Sequence, residues 1–375
     1  LGSWLLQARN TGYKIPSHFY LMCGLFFIMC LSRINAGVEI LGHRYMEFYK
    51  IMLLFLVMVN LINTEERLRL FSWVLVISFA ALAFVARYHW TKTPYPWWNN
   101  GVFATDLLAI LPLALYFIFA GQNVLSKVEA ICYSLILSLI CLRTGSRAGF
   151  LGLDVVLLLF FAYKPKLSRY IVLIPIIALA FYRMGEKAMQ RYHTIKTYEE
   201  QTTAVQRIGA WRVGMHMLSA NPILGVGVGE FPRNFYKYAT EEEVEMVKGW
   251  SNAHSIYIQI IAETGLLGFG IFVLLLTITF FDIGKIYKIY RIDNTNLAAN
   301  IGLITGIGLV GYLVAGAFNN IAYLSPLYVL IALIVAAKNI AQKQIEVKIN
   351  GNKKNSDLEF KGFGVLTLSL IHISE

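Results

Sequence analysis

Three stretches, far apart along the chain, hold side chains whose types could work together on a diphosphate and a hydroxyl: Thr144–Gly149, Arg207 with Trp211, and Asn252–His254. Ser146 is a natural N-cap, and Arg147 then falls in the first turn of the following helix, where free amides and the positive dipole end favour an anion. Taken alone, Arg147 reads as an interfacial arginine snorkelling to headgroups; beside the other two stretches it reads as a phosphate ligand. Arg207 carries a rigid guanidinium fork suited to a diphosphate, with Trp211 one turn on as a membrane-surface anchor. Arg212 is expected to face solvent and at most to support. His254 opens a membrane helix and titrates near neutrality, so it can take a proton from an attacking hydroxyl. A solitary histidine is more often packing; next to two phosphate-binding arginines the general-base reading is preferred. Asn252 stands as a supporting residue. Glu263, a carboxylate within a membrane helix, is expected to brace that helix or pair with an arginine, and Asp106 and Asp154 are read with the same reserve.

These residues need a scaffold, and the composition says which kind. Of 375 residues 57% are hydrophobic and 15% charged, against about 25% charged in soluble domains. The chain reads as an all-α polytopic membrane protein. Its formal charge of +11 sits in short connections and the tail rather than in one basic stripe, which marks membrane topology and argues against nucleic acid. Cys23, Cys30, Cys132 and Cys141 lie within apolar runs without metal or disulfide spacing. HExxH, P-loop, paired-Cys and DxD patterns are absent, so the expected chemistry needs neither metal nor cofactor. Gly225-Val-Gly-Val-Gly229 lacks a strand–turn–helix context and reads as a turn after Pro222, and Tyr95–Asn100 as an interfacial aromatic girdle.

Apolar runs near 17–34, 45–63, 68–89, 102–120, 128–143, 148–163, 167–183, 253–281, 297–318 and 321–338 make about ten candidate spans. Pro112, Pro175 and Pro326 are the expected places for kinks. The organisation is therefore seven spans in 1–183, one long polar segment in 184–252, three spans in 253–338 and a tail in 339–375. Leu1 and the lack of a leader pattern are expected of a fragment truncated at its N-terminus, and Leu370–Ser374 resembles translated sequencing-adapter sequence. The Lys/Arg bias puts Arg67, Arg69, Lys127, Lys164–Arg169, Lys285–Arg291 and both ends in the cytoplasm. The Tyr88–Gly101 loop, the Arg143–Arg147 turn and the 184–251 segment then share the opposite face. That segment balances eight Lys/Arg against eight Glu, with 241–245 read as a solvated acidic face. Ile208, Trp211, Met215 and Leu218 recur at helical spacing, predicting an amphipathic helix over 205–219 that lies on the membrane domain and ends at Asn221-Pro222.

Thr144-Gly-Ser-Arg-Ala-Gly149, Arg207-Ile-Gly-Ala-Trp211 through Asn221-Pro-Ile-Leu-Gly-Val-Gly227, and Ala253-His-Ser-Ile-Tyr-Ile-Gln-Ile-Ile-Ala-Glu-Thr-Gly-Leu-Leu-Gly268 together resemble the O-antigen ligase and polymerase superfamily of bacterial envelope glycosyltransferases. The resemblance implies a GT-C-like bundle, commonly of about a dozen helices, with one long extracytoplasmic segment. It implies transfer of a glycan from an undecaprenyl-diphosphate carrier to an acceptor hydroxyl on a lipid core or another glycan, at the periplasmic face of the bacterial inner membrane. The arginines at the positions of Arg147 and Arg207 would bind the diphosphate, with Ser146 at the helix start, and the histidine at His254 would activate the acceptor. Many relatives read His-Asn where this chain has His254-Ser255. Ligase is preferred over polymerase or O-linked protein oligosaccharyltransferase. A polyprenyl-linked glycan transporter is the rival from another class, and repeat symmetry with broken helices in matching halves would mark it.

Overall fold

The computed structural model describes residues 15–35, 43–88, 100–163, 199–249 and 252–371. Among them the chain forms helices and no strand: α1 (Ser17–Asn35), α2 (His43–Leu61), α3 (Glu65–Tyr88), α4 (Asn100–Ala120), α5 (Val124–Arg143), α6 (Arg147–Tyr163), α7 (Glu199–Ala220), α8 (Phe231–Tyr238), α9 (Glu241–Val247), α10 (Ile256–Ile292), α11 (Leu297–Gly316) and α12 (Ser325–Ile371). Seven of them, α1, α3, α4, α5, α10, α11 and α12, are long and apolar enough to cross a membrane, and the protein is a multi-pass membrane protein. The spans expected at 45–63 and 148–163 are the helices α2 and α6, which fall short of that standard of length and apolarity. The span expected at 167–183, the Tyr95–Asn99 aromatics, residues 184–198 and Ser251 lie outside the described residues. The boundary expected at 338 falls inside α12.

α4 is the axis of the bundle: 17 of its residues, from Val102 to Ile118 without a gap, are buried. A helix apolar on every side has to be surrounded, and α3, α5, α6 and α11 all pack on it. Close approach is set by small residues, as is usual between helices in lipid. A Cβ on Gly308 of α11 would collide with the Ala109 carbonyl of α4, and one on Gly152 of α6 would lie 3.1 Å from Ala315 of α11. A second, smaller core gathers Ala210, Val213, Met217, Val226, Phe231, Phe235, Val247, Ala253 and Ala262. It binds α7, α8 and α9 to the start of α10.

The joint between these two cores is a break in α10. It does not occur at a proline: α4 runs through Pro112, and Pro326 sits in the first turn of α12, where no amide bond is lost. The break is at Gly265 (φ 66°, ψ −166°). An unbroken helix would pair the Leu266 and Leu267 amides with the Ala262 and Glu263 carbonyls. Instead those amides bond Pro222 O (2.8 Å) and Ile223 O (3.4 Å), while Val226 N and Gly227 N bond Ala262 O (2.9 Å) and Glu263 O (3.1 Å). Ser32 of α1 adds its hydroxyl to Glu263 O at 2.6 Å. Segment 222–227 is thus spliced into the helix, and backbone groups freed inside a membrane protein find partners, as they have to.

The splice needs glycine on both sides. A Cβ on Gly225 (φ 68°) would lie 2.5 Å from Ala262 O, and one on Gly265 would collide with Ile223 C and O. The Gly225–Gly229 run is therefore a backbone clasp, more than the turn expected of it. Gly249 (φ 87°) has the same left-handed geometry with nothing near its missing Cβ. We expect Gly249→Ala to cost about 1 kcal/mol, the left-handed penalty alone. Gly265→Ala should cost several times more, because backbone has to move. Thermal unfolding of the two variants in detergent measures the difference, and equal costs would refute the clasp.

Candidate functional site

The first element is the corner between α5 and α6. Thr144 caps α5, its amide returning to Ile140 O and Cys141 O, and Gly145 (φ 65°) takes the left-handed step that ends the helix. Ser146 Oγ then accepts the Gly149 amide at 3.1 Å, the N-cap geometry the sequence predicts. The Thr144 hydroxyl accepts the Ser146 amide at 3.1 Å, and Asn100 Nδ2 donates to Thr144 O at 3.3 Å, which ties the corner to α4. Ala148 and Gly149 are buried, and a Cβ on Gly149 would lie 2.7 Å from Ala104. Arg147, the first residue of α6, is left exposed at a fixed helix start.

The second element is α7. A helix is present over the expected residues, but the expected apolar face is not the buried one. Gly209, Ala210, Val213, Gly214 and Met217 point inward, whereas Ile208 and Met215 are exposed and Trp211 and Leu218 are half-buried. The reason is close packing: a Cβ on Gly214 would lie 2.5 Å from Ile258 of α10, and one on Gly209 2.9 Å from Val247 of α9. Small residues define this face, so it escapes a reading based on large apolar ones. Arg207 and Trp211, one turn apart, close over the same ring. The Arg207 guanidinium lies 5.6 Å from the Phe318 centroid and the Trp211 ring 6.3 Å from it. Arg207 Nε and Trp211 Nε1 are buried without a hydrogen-bond partner among the described residues. Arg212 faces solvent as expected, 3.8 Å from Glu242.

The third element is the entry to α10. Asn252 is exposed, Ala253 is buried in the small core, and His254 is half-buried. His254 does not start the helix. It is in the left-handed region (φ 46°), and Ser255 is the N-cap, accepting the Ile258 amide. Burial, together with the positive charge of Arg207, pushes the His254 imidazole down to about 4. Burial and the charge of Arg147 likewise push Arg207 below the usual guanidinium range. The three groups are thus close enough to act on one another in series, Arg147 on Arg207 and Arg207 on His254. The two like charges repel each other, and an anion brought near them would relieve that cost.

Other predicted residues sit elsewhere. Glu263 is buried below the clasp, near the Gly229 and Phe231 amides and in the field of Arg44. Asp106 is buried near Tyr312, and Asp154 lies on the exposed face of α6. The acidic run is only partly solvated: Glu243 is buried, closes a capping box with Thr240 and approaches His216 Nδ1 at 3.5 Å. Among the described residues, no group of three or more His, Cys, Asp or Glu gathers as a metal site.

Sequence reasoning missed three groups here. Phe318 lies in the α11–α12 connection, held by Asn319 Nδ2 donating to Thr105 Oγ1 at 3.2 Å and by the Ala322 amide on Gln259 Oε1 at 3.3 Å. Arg33 donates to Val228 O at 3.0 Å and Glu230 Oε1 at 2.7 Å, a partly buried pair. Arg44 packs its stem on Gly229. The signal that could have found these two arginines was their position, flanking a connection on the side that the Lys/Arg bias leaves poor in positive charge.

Residues 132–273 match a family model described as O-antigen ligase, so this stretch of the chain is similar to that family. The matched stretch contains the Thr144–Gly149 corner, Arg207, the clasp, His254 and Glu263. No curated protein matches.

The geometry makes a prediction independent of function. By NMR in the substrate-free protein, His254 should titrate near pH 4, and Arg207→Gln should raise its midpoint part of the way toward 6.5, leaving the contribution of burial. A midpoint unmoved by that substitution would place the two side chains apart.

Proposed function

We propose that this membrane protein, similar over residues 132–273 to the O-antigen ligase family, is a glycosyltransferase that moves a glycan from an undecaprenyl-diphosphate carrier to an acceptor hydroxyl at the periplasmic face of the inner membrane. The lipid A core or a similar acceptor is the preferred recipient. The observation that carries this reading is the series Arg147–Arg207–His254, a like-charged pair next to an uncharged imidazole, held by three separate structural devices.

In the proposed reaction the acceptor oxygen attacks the anomeric carbon from the face opposite the diphosphate, so the C–O bond to the carrier breaks as the new glycosidic bond forms and the configuration inverts. The hydroxyl proton passes to the unprotonated nitrogen of His254, and the electron pair of the broken bond leaves on undecaprenyl diphosphate. Arg147 and Arg207 face the charge that collects there. Donors fixed in advance and partly dry contribute several kcal/mol, on the order of 3, to such a transition state. Phe318 and Trp211 hold the Arg207 fork in place before the donor arrives, so less ordering is left for the reaction to supply.

His254, lowered to about 4, is neutral at physiological pH and can accept the proton, though it is a weak base in the empty site. A bound diphosphate offsets the charge of Arg207 and raises the imidazole, so the base strengthens when its substrate is present. Activity is lost as pH falls through the His254 value. The acid limb of kcat/KM, which reports the empty enzyme, should therefore lie near pH 4, and that of kcat should lie higher.

The decisive experiment incubates the purified protein with a lipid-diphosphate glycan and acceptor and measures released undecaprenyl diphosphate. Arg147→Ala and Arg207→Ala should each lower release about a hundredfold or more, with lysine restoring only part. His254→Ala should lower kcat at normal expression, and undiminished turnover would remove its role as base. Glycan found on lipid A core marks a ligase, whereas carrier-bound chains of increasing length mark a polymerase.

A further inference from the structure

The end of the bundle away from His254 holds a second charged cluster. Asp282 lies in α10 well beyond the break at Gly265, just before Lys285, Lys288 and Arg291, which the Lys/Arg bias puts at the membrane surface opposite His254. There a cavity of about 600 Å³ opens between α1, α10 and α12. Asp282 is 4% exposed and accepts Lys338 Nζ at 2.7 Å on one oxygen and Lys285 Nζ at 3.1 Å on the other. His18, 3% exposed, lines the same cavity with Nε2 4.0 Å from Asp282 and without a hydrogen bond.

The charges do not cancel. Two ammonium groups against one carboxylate leave one positive charge, and the buried His18 Nε2, as an N–H tautomer, is a donor without an acceptor. Buried donors of that kind are rare unless something fills the site. Ser17 and Asn339 add polar groups to the rim, and the rest of the wall is apolar, Val59, Ile278 and Phe281 among it, the last 68% exposed on the outside of the bundle. A charge of one unit, several donors and a greasy wall reached from the side match a phosphodiester joined to acyl chains. They do not match a soluble sugar. An ion cluster that served only to tie three helices together would need neither the cavity nor the surplus charge.

We propose that this cavity binds an anionic phospholipid of the surrounding leaflet, its phosphate taken by Lys285, Lys338 and His18 and an acyl chain lying along Ile278 and Phe281. The site is separate from the Arg147–Arg207–His254 group, and the proposal does not depend on the transferase reading.

The test uses the full chain in phosphatidylcholine nanodiscs containing graded amounts of phosphatidylglycerol, with native mass spectrometry counting the phosphatidylglycerol retained after extraction. The wild type should retain it in preference to phosphatidylcholine. Lys285→Gln, whose side chain is 55% exposed, should fold normally and weaken retention about fivefold, as expected for one basic residue. Asp282→Asn should act in the opposite direction, tightening retention because the lysines lose their internal anion; thermal unfolding of each variant separates binding from folding. Equal retention of the two lipids by the wild type, or retention unchanged in Lys285→Gln, overturns the proposal. Displacement of the lipid by millimolar inorganic phosphate also overturns it, since the occupant would then be a free anion.

Discussion

Everything at the candidate site depends on one exchange of hydrogen bonds at Gly265. Four backbone groups of α10 give up their helical partners and take those of segment 222–227. A membrane helix cannot leave such groups bare, because each unsatisfied one costs several kcal/mol in hydrocarbon. The segment is therefore held as firmly as the helix itself. Through it α7, which ends at Ala220, and α8, which begins at Phe231, acquire fixed positions over the bundle. Arg207 and His254 reach each other because the chain between them is spliced into the helix that His254 precedes.

The second constraint is electrostatic. Collecting Arg147, Arg207 and an imidazole in one place costs free energy in the empty protein, and the lowered values of Arg207 and His254 express that cost. The fold meets it with local devices. A capped helix corner holds Arg147, an aromatic ring lies under Arg207, and a left-handed residue followed by a capping serine precedes α10. Sites that store strain and like charge in this way are where ligands with the complementary charge gain most.

How far the sequence could be read follows from whether a feature is local. The helices were legible because membrane length and apolarity are written in consecutive residues, and the Ser146 cap because N-cap, corner and first turn lie within six residues. The buried face of α7 was misread because glycine and alanine carry no hydrophobic signal, although they allow the closest packing. The clasp was invisible for another reason: it joins Gly225 to Gly265, and a glycine run looks alike whether it turns in solvent or inserts into a helix. Phe318, Arg33 and Arg44 lie more than a hundred residues from the groups they touch, in stretches with no motif.

The pair His254-Ser255 shows how a departure from a family pattern can be chemically conservative. The resemblance puts His254-Ser255 where many similar sequences read His-Asn, which leaves the acceptor open. In the structure Ser255 faces the helix, its hydroxyl accepting the Ile258 amide as the first turn of α10 forms. Asparagine and serine are near equals in that role, since each offers a short side-chain oxygen to an amide of the first turn. The substitution therefore keeps what His254 requires, a helix start that leaves the preceding residue turned back in the left-handed region with its ring toward Arg207. On this argument the position next to the histidine reports on how the proposed base is held, and the identity of the proposed acceptor has to be sought in other side chains around it.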